Sequence, residues 1–387
     1  MKTPALCKLL CVVGARPNFM KIAPIMTALK SASARLDIRL VHTGQHYDVA
    51  MNQRFFEQLG IPTPDLDLEV GSASHAVQTA EIMRRFEPVL DAESPAAILV
   101  VGDVNSTIAC ALVAAKKGAA VIHVEAGLRS FDRTMPEEIN RVLTDQISDL
   151  LFTTERRALD NLTREGIAPQ KVHFVGNVMI DTLLAHRLQA VPSELTLLAA
   201  ADPSVFRSNG YGVVTLHRPA NVDDPQVLRR ILTVLEELSA ALPLVFPMHP
   251  RTLAKLRSAN LTALLDTPRI LFLPPQGYLE MLGLMAEARA VLTDSGGIQE
   301  ETTALGVPCI TLRENTERPI TVEQGTNTLV GSDPDRIRSA VREVLTDGGK
   351  GGRVPELWDG HAAERIATVI THWLDHGAIM SGGYDNP

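Results

Sequence analysis

Short apolar, β-branched runs alternate with longer amphipathic stretches along most of the chain. Uninterrupted runs of this kind are typical of strands in a parallel sheet that helices cover on both faces. One set lies at residues 9–13, 38–42, 97–101, 120–124, 150–154 and 172–175, and a second at 213–217, 244–249, 269–274, 290–294, 307–313 and 327–331. The pattern predicts an α/β protein with two doubly wound domains.

The interval from Leu183 to Asn209 has weak strand signal, two prolines and an alanine-rich centre. We therefore expect a first domain at residues 1–177 and a second at 178–361. A final helix is predicted from about residue 362, and we expect the segment 362–387 to pack back on the first domain.

Length, charge and composition argue against two classes of function, nucleic-acid binding and membrane insertion. The 387 residues suffice for two or three domains. The net charge of -8 and an aromatic content of 4% argue against a phosphate-backbone surface or a base-stacking platform, so no nucleic-acid partner is expected. No signal peptide and no apolar run long enough to span a membrane are evident, so we expect a cytoplasmic protein without a membrane partner.

Cofactor motifs are missing from the sequence. The four cysteines have no CxxC spacing and fit reduced core positions. His42 and His46 are four residues apart, but they lie across the turn at Gly44 rather than on a helix face. No GxGxxG follows the first strand and no GxxxxGK[ST] occurs. These observations argue against a metal site, a dinucleotide-dependent oxidoreductase and a P-loop enzyme.

Ligands in open α/β sheets bind beyond the carboxyl ends of the strands, so the residues that follow each run are candidates for a site. After the first run, Arg16 and Lys21 stand at a predicted helix entrance, where they are candidates to hold a phosphate. Asp103, Glu125 and Glu137 follow the third and fourth runs. Clustered carboxylates of this kind suit general acid or base catalysis.

Each acid also has a plain structural alternative. Asp103 is placed to cap the helix that is predicted to begin near Asn105, and Glu137 is placed to pair with Arg141 at i,i+4. The joint position of the three acids at successive loops favours a catalytic role.

The second half carries an anion-binding pattern. His217 and His249 each end a run and precede a basic residue or a proline–arginine pair, which suits anion contact or proton transfer to a leaving group. Ser295, Gly296 and Gly297 then form a turn at a helix start, a place where backbone N–H groups bind phosphate. Glu301 is one helical turn further on and suits ribose hydroxyls, and Arg313 and Arg318 suit a pyrophosphate.

Together these motifs identify a resemblance: GARPNFMK (14–21), TGQHYD (43–48), GDVNST (102–107), HVEAGLRS (123–130), MPEEINR (135–141), GNVMIDT (176–182), TLHR (215–218), DSGGIQEE (294–301) and TERP (316–319). Their order and spacing resemble the non-hydrolysing UDP-N-acetylglucosamine 2-epimerases over residues from about 8 to 345. The resemblance implies the GT-B fold, two Rossmann-like domains with the active site in the cleft between them. It also implies a homodimer that needs neither NAD nor metal.

The reaction that the resemblance implies is reversible conversion of UDP-GlcNAc to UDP-ManNAc, through elimination of UDP to 2-acetamidoglucal and re-addition. Asp103, Glu125 and Glu137 match the family's catalytic acids, and His217 matches the histidine at the departing UDP; which acid is the base stays open. Substrate contacts are matched by Arg16, Lys21, His249, Gln276, Ser295, Gly296, Gly297, Glu301, Arg313 and Arg318, with Gln276 expected near the uracil.

Two other functions remain as alternatives. One is a 2-epimerase that acts on a UDP-2,3-diacetamido-uronic acid, which the segments around 129–141 and 249–252 also resemble. The other is a non-catalytic nucleotide-sugar sensor, against which the presence of all three acids argues.

Overall fold

The computed structural model describes residues 7–44, 57–208, 210–265 and 267–376, without the side chains of Arg16 and Leu265. These residues divide into two compact units. The first runs to Thr182 and resumes at Glu356, and the second runs from Leu183 to Pro355. The boundary expected after residue 177 lies just ahead of the helix Val178–His186, within which the chain passes from the first unit to the second.

The first unit is built on a seven-stranded parallel sheet with the strand order β3-β2-β1-β4-β5-β6-β7. Its strands are β1 (Cys7–Val13), β2 (Leu36–His42), β3 (Leu66–Asp67), β4 (Ala97–Val101), β5 (Ala120–Val124), β6 (Leu150–Thr153) and β7 (Val172–Phe174). Its helices are α1 (Arg16–Ala32), α2 (His75–Glu93), α3 (Asn105–Lys116), α4 (Pro136–Ile147), α5 (Arg156–Arg164), the start of α6 (Val178–His186) and, from the end of the chain, α16 (Ala362–His376).

The second unit has a six-stranded parallel sheet with the strand order β10-β9-β8-β11-β12-β13. Its strands are β8 (Gly212–Thr215), β9 (Leu244–Pro247), β10 (Ile270–Leu273), β11 (Ala290–Thr293), β12 (Cys309–Thr311) and β13 (Asn327–Leu329). Besides the end of α6, its helices are α7 (Ser193–Leu197), α8 (Ser204–Ser208), α9 (Pro219–Val222), α10 (Pro225–Ser239), α11 (Pro250–Ser258), α12 (Tyr278–Ala286), α13 (Gly296–Leu305), α14 (Pro319–Glu323) and α15 (Pro334–Asp347).

The central strands of both units are buried on both faces, which explains their uninterrupted apolar runs. All five residues of β4 are buried. In β9, Leu244 and Phe246 belong to one apolar cluster, with α10 and α15, whereas Val245 belongs to another, with α12. Successive strand side chains therefore point to opposite, equally covered faces, as in a doubly wound domain.

The segment that returns to the first unit at Glu356 is held there by hydrogen bonds. The carboxylate of Asp181 in α6 accepts hydrogen bonds from the backbone N–H groups of Ala362 and Ala363, at the start of α16. The Trp358 indole N–H donates to the carbonyl of Thr154 over 3.0 Å. Helix α16 packs against α1. The C-terminal helix thus completes the first sheet's helical layer.

Candidate active site

In the first unit, a buried ion pair joins two of the predicted site residues. Lys21 lies in α1, and Glu125 directly follows β5. Their Nζ and Oε2 atoms are 2.6 Å apart, and both side chains are almost fully buried. Gly102, after β4, adjoins the pair: a Cβ atom added there would lie 3.1 Å from the Lys21 Nζ. The carboxyl ends of β1, β4 and β5 therefore meet at this pair.

Asp103 is held by an arginine on α4. The Arg141 Nε lies 3.2 Å from the Asp103 Oδ2, and the Arg141 Nη1 lies 2.6 Å from the Glu138 Oε2. Glu138 also accepts the backbone N–H groups of Ser130 and Phe131. Asp103 does not cap α3, because the cap position belongs to Val104 and no side chain caps it. Asp103 thus lies in a fixed network at the start of α4.

Glu137 is the second residue of α4 and is half-buried. It neighbours Glu138 in the chain, and that residue anchors the loop before the helix. The structure therefore places Asp103, Glu125 and Glu137 on the segments that follow β4 and β5.

In the second unit, Asp294 organises the end of β8. Its fully buried carboxylate accepts the backbone N–H groups of His217 and Arg218 and the side-chain amide of Asn221. The His217 Nδ1 lies 2.9 Å from the Asp294 Oδ1. Burial by itself would raise the pKa of Asp294, but these hydrogen bonds and the nearby His217 outweigh it and hold the pKa below its usual range. A carboxylate can only accept hydrogen bonds, so the His217 Nδ1 donates a hydrogen bond to Asp294. The Nε2 atom of the same ring is then the one that can contact a ligand.

His249 lies close to His217. The ring centroids are 5.9 Å apart. The His249 Nδ1 accepts the backbone N–H of Arg251 and so caps α11. With Nδ1 as an acceptor, the ring proton of His249 sits on Nε2.

The glycine-rich turn after β11 is packed against two charged residues. Ser295 is the cap residue of α13, and Gly296 and Gly297 are its first two residues. A Cβ atom added at Gly296 would lie 2.7 Å from the Glu317 Oε1 and 2.8 Å from an Arg318 Nη1. A side chain at Gly296 would therefore displace the Glu317 carboxylate and the Arg318 guanidinium.

Arg313 and Arg318 both pair with acids. Glu317 lies 2.7 Å from the Arg313 Nη2 and 2.6 Å from the Arg318 Nη1. Glu300 lies 3.0 Å from the Arg318 Nε. The two guanidinium groups are thus fixed in one buried cluster.

Glu301 has an unusual environment. Burial, as the largest cause, raises the pKa of Glu301 to about 7; a hydrogen bond with Tyr278 lowers it less, and the charge of Glu300 raises it further. Burial also raises the pKa of the Tyr278 hydroxyl well above its usual range. Near neutral pH the Glu301 carboxyl group is therefore partly protonated, and it can donate a hydrogen bond in its protonated form and accept hydrogen bonds in its ionised form.

The remaining predicted residues are placed as follows. Gln276, in the loop after β10, donates to the Pro274 carbonyl over 2.7 Å. Arg16 is the first residue of α1, and its side chain lies outside the described part. His46 lies outside the described residues, whereas the His42 Nδ1 lies 2.9 Å from the Asp67 Oδ2. Within the described ranges there is no group of three metal-ligating side chains.

Sequence reasoning missed four residues that hold the first unit's acids in place: Arg141 as the partner of Asp103, Glu138, and the buried pair His123 and Asp145. Two signals existed. His123 interrupts an otherwise apolar strand, and Glu138 and Arg141 stand at i,i+3 on α4.

None of the helices in the described ranges is long and apolar enough to cross a membrane.

The two parallel sheets define an α/β protein with two Rossmann-like domains of the GT-B type. The sequence model of the family described as UDP-N-acetylglucosamine 2-epimerase matches residues 28–371. The chain belongs to this family of isomerases, and the fold class, family and enzyme class predicted from the sequence are confirmed.

Relatives match over nearly the whole chain. A UDP-N-acetylglucosamine 2-epimerase of Methanocaldococcus jannaschii is 43% identical, over 94% of this chain and 99% of the relative. A UDP-2,3-diacetamido-2,3-dideoxy-D-glucuronate 2-epimerase of Pseudomonas aeruginosa is 40% identical, over 94% and 99%. Among solved structures, the M. jannaschii UDP-GlcNAc 2-epimerase in complex with UDP-GlcNAc and UDP has a TM-score of 0.85 at 42% identity, covering 94% of this chain and 99% of that one.

Proposed function

We propose that the protein interconverts UDP-GlcNAc and UDP-ManNAc by inverting carbon 2 of the sugar. The observation that carries the proposal is the set of three acids, Asp103, Glu125 and Glu137, on the segments after two neighbouring strands. Inversion needs a proton to leave one face of the carbon and another to arrive on the opposite face, which requires more than one acid–base group. The M. jannaschii relative, a UDP-N-acetylglucosamine 2-epimerase, supports the choice of substrate.

The proposed reaction has two stages. A carboxylate takes the proton from carbon 2, the electron pair of that C–H bond forms a double bond to carbon 1, and the bond from carbon 1 to the UDP oxygen breaks. The products are UDP and 2-acetamidoglucal. In the second stage a carboxylic acid returns a proton to carbon 2 from the other face, and a UDP oxygen attacks carbon 1. Atoms and electrons balance without an external oxidant or reductant.

The first unit would supply the proton transfers. Glu125 and Asp103 each have a cation within 3.2 Å, Lys21 and Arg141 respectively. These contacts fix the carboxylates in place, and fixed geometry is what a proton transfer to carbon requires. Lys21 is the partner of Glu125, and both Lys21 and Arg16 stay predicted substrate contacts.

The second unit would bind UDP and assist its departure. The His217 ring donates from Nδ1 to Asp294, and when it carries both protons it would donate from Nε2 to the departing diphosphate. A diphosphate at the start of α13 would share Arg313 and Arg318 with Glu317. We assign the other UDP contacts to His249, Gln276, Ser295, Gly296, Gly297 and Glu301.

The test is an incubation of the purified protein with UDP-GlcNAc, without NAD and with a chelator present, followed by chromatography of the nucleotide sugars. The proposal predicts UDP-ManNAc, and its loss in Asp103→Asn, Glu125→Gln or Glu137→Gln. Asp202→Asn is the control. Asp202 is an exposed acid of the second unit whose carboxylate accepts hydrogen bonds from the backbone N–H and the hydroxyl group of Ser204. No UDP-ManNAc from the wild-type protein contradicts the proposal.

A second candidate substrate is a UDP-2,3-diacetamido-uronic acid. It is favoured by the P. aeruginosa relative, whose 40% identity approaches the 43% of the M. jannaschii protein. The same assay with both substrates compares kcat/KM directly. A higher value with the uronic acid assigns the protein to this second substrate.

We also propose a homodimer. Three apolar side chains on and before α4 are exposed: Phe131, Ile139 and Leu143. Ile139 and Leu143 are one helical turn apart, so they share a face. Sedimentation should show a dimer, and Ile139→Glu combined with Leu143→Glu should shift it to a monomer; a wild-type monomer contradicts this part.

A further inference from the structure

A fully buried histidine, His123 of β5, links the two loops that carry Asp103 and Glu125. Its Nδ1 lies 2.7 Å from the Asp145 Oδ1, and its Nε2 lies 2.9 Å from the backbone carbonyl oxygen of Gly102. Both ring nitrogens are therefore at hydrogen-bond distance from an oxygen.

These two partners decide where the ring protons are. A backbone carbonyl oxygen only accepts, so Nε2 carries a hydrogen. Asp145 accepts the Gly127 N–H over 3.0 Å and lies 2.7 Å from an Arg129 Nη2. A guanidinium at this distance pairs with the ionised form of a carboxyl group. Asp145 is thus a carboxylate, and Nδ1 donates to it.

The charges of the network support the same assignment. The Arg129 guanidinium lies between Asp145 and Glu165, with 2.5 Å to the Glu165 Oε2. Two carboxylates and one guanidinium leave one negative charge in a largely buried group. An imidazolium at His123 balances it, and buried charges are stable only when paired.

The two ends of the imidazole hold different loops. Gly102 precedes Asp103 and has a positive φ of 67°. At the other end, Asp145 holds the N–H of Gly127, two residues after Glu125. Glu125 itself has a φ of 74°, a left-handed conformation that a non-glycine residue adopts only when its surroundings enforce it.

We propose that His123 is a positioning residue that, as a buried imidazolium, ties the loop of Asp103 to the loop of Glu125 and so sets the distance between the two acids. The inference rests on the proposed function for its kinetic consequence, but not for its protonation state. The ring does not touch the substrate; it acts through the Gly102 carbonyl and through Asp145.

Two substitutions separate the two ends. His123→Gln places an amide donor toward the Gly102 carbonyl, and His123→Asn places one toward Asp145. Each keeps one link, so both should lower kcat for the UDP-sugar by about 10²-fold, the effect of a displacement near 1 Å at a reacting centre. KM should change little, because UDP contacts are assigned to the second unit. His173→Asn, which removes a half-buried ring packed on Phe152 in the same sheet, is the matched control.

NMR of wild-type enzyme labelled with ¹⁵N-histidine tests the protonation state without turnover. The charged groups around the ring are Asp145, Arg129 and Glu165, with the Lys21–Glu125 ion pair beside Gly102. We expect one histidine with protons on both ring nitrogens, protected from solvent at pH 7.5. A neutral tautomer at His123 overturns the proposal, as do wild-type kcat values in both variants. If neither UDP-sugar turns over but the doubly protonated ring is present, the proposed function fails and this assignment stands.

Discussion

Lys21 and Glu125 form an ion pair in which both side chains are more than nine-tenths buried, with 2.6 Å between Nζ and Oε2. Removing one member leaves the other as an uncompensated buried charge. Lys21→Met should therefore lower the free energy of unfolding by about 3–5 kcal/mol, measured by urea denaturation.

The control for this prediction is Lys8→Met, which removes an ion pair of similar length, 2.8 Å to Glu93, in which both side chains are about one-quarter exposed. Its loss should cost less than about 1 kcal/mol. The double variant Lys21→Met, Glu125→Gln should recover part of the stability. Equal effects of Lys21→Met and Lys8→Met would be inconsistent with a buried charged pair.

Arg141 should matter for catalysis although it is not one of the predicted site residues. Its guanidinium contacts Asp103 and Glu138 at once, a geometry that a lysine cannot reproduce. Arg141→Lys should lower kcat by about 10- to 100-fold. Arg338→Lys is the matched control, because Arg338 bridges Glu237 and Asp335 on the surface of the second unit. A wild-type kcat in Arg141→Lys would refute the positioning of Asp103 by this arginine.

Asp294→Asn tests the orientation of His217. An asparagine carries no negative charge to support a protonated His217, so the variant ring cannot donate from Nδ1 to a carboxylate while its Nε2 N–H contacts the departing diphosphate. We expect kcat to fall by between about 10² and 10⁴-fold, the loss seen when the carboxylate behind an acid–base histidine is replaced by an amide. Steady-state kinetics across pH measures this. Asp224→Asn, at the exposed cap of α10, should keep the wild-type kcat; a similar loss in both variants would argue for a general folding defect.

Glu301 should make stability depend on pH. Its pKa is raised to about 7 in the folded protein, from an ordinary value of 4.5, so the folded state holds a proton that the unfolded state loses. This contribution is fully present below about pH 4.5 and is lost as pH rises through about 7. Wild type should therefore lose stability relative to Glu301→Gln between these pH values, measured as the difference in Tm. The exposed Glu236→Gln should show no such trend, and a flat difference for Glu301→Gln would contradict the assigned environment.

Much of the fold could be predicted from the sequence because a parallel sheet covered on both faces leaves continuous apolar runs. All strands of three or more residues coincide with predicted runs. The two-residue strand β3, Leu66–Asp67, was missed, since two residues carry no periodic signal. In the second unit, the turn at Gly296 is recognisable because two successive glycines follow an apolar run at a predicted helix start.

The supporting contacts of the site could not be predicted. Arg141 was weighed as a partner of Glu137, but the fold brings it to Asp103, 38 positions away in the chain. His123 likewise meets Asp145 only because α4 packs beside β5. Pairings of this kind depend on distances between elements, which no local pattern records. The roles of the individual acids stay predictions.

We expect that the protein exchanges a proton at carbon 2 while UDP departs and returns. The most direct test is incubation of the purified protein with UDP-GlcNAc in deuterated water, without added NAD or metal, followed by proton NMR. UDP-ManNAc with deuterium at carbon 2 should form. Accumulation of free ManNAc and UDP, or UDP-ManNAc that keeps its original hydrogen at carbon 2, would contradict it.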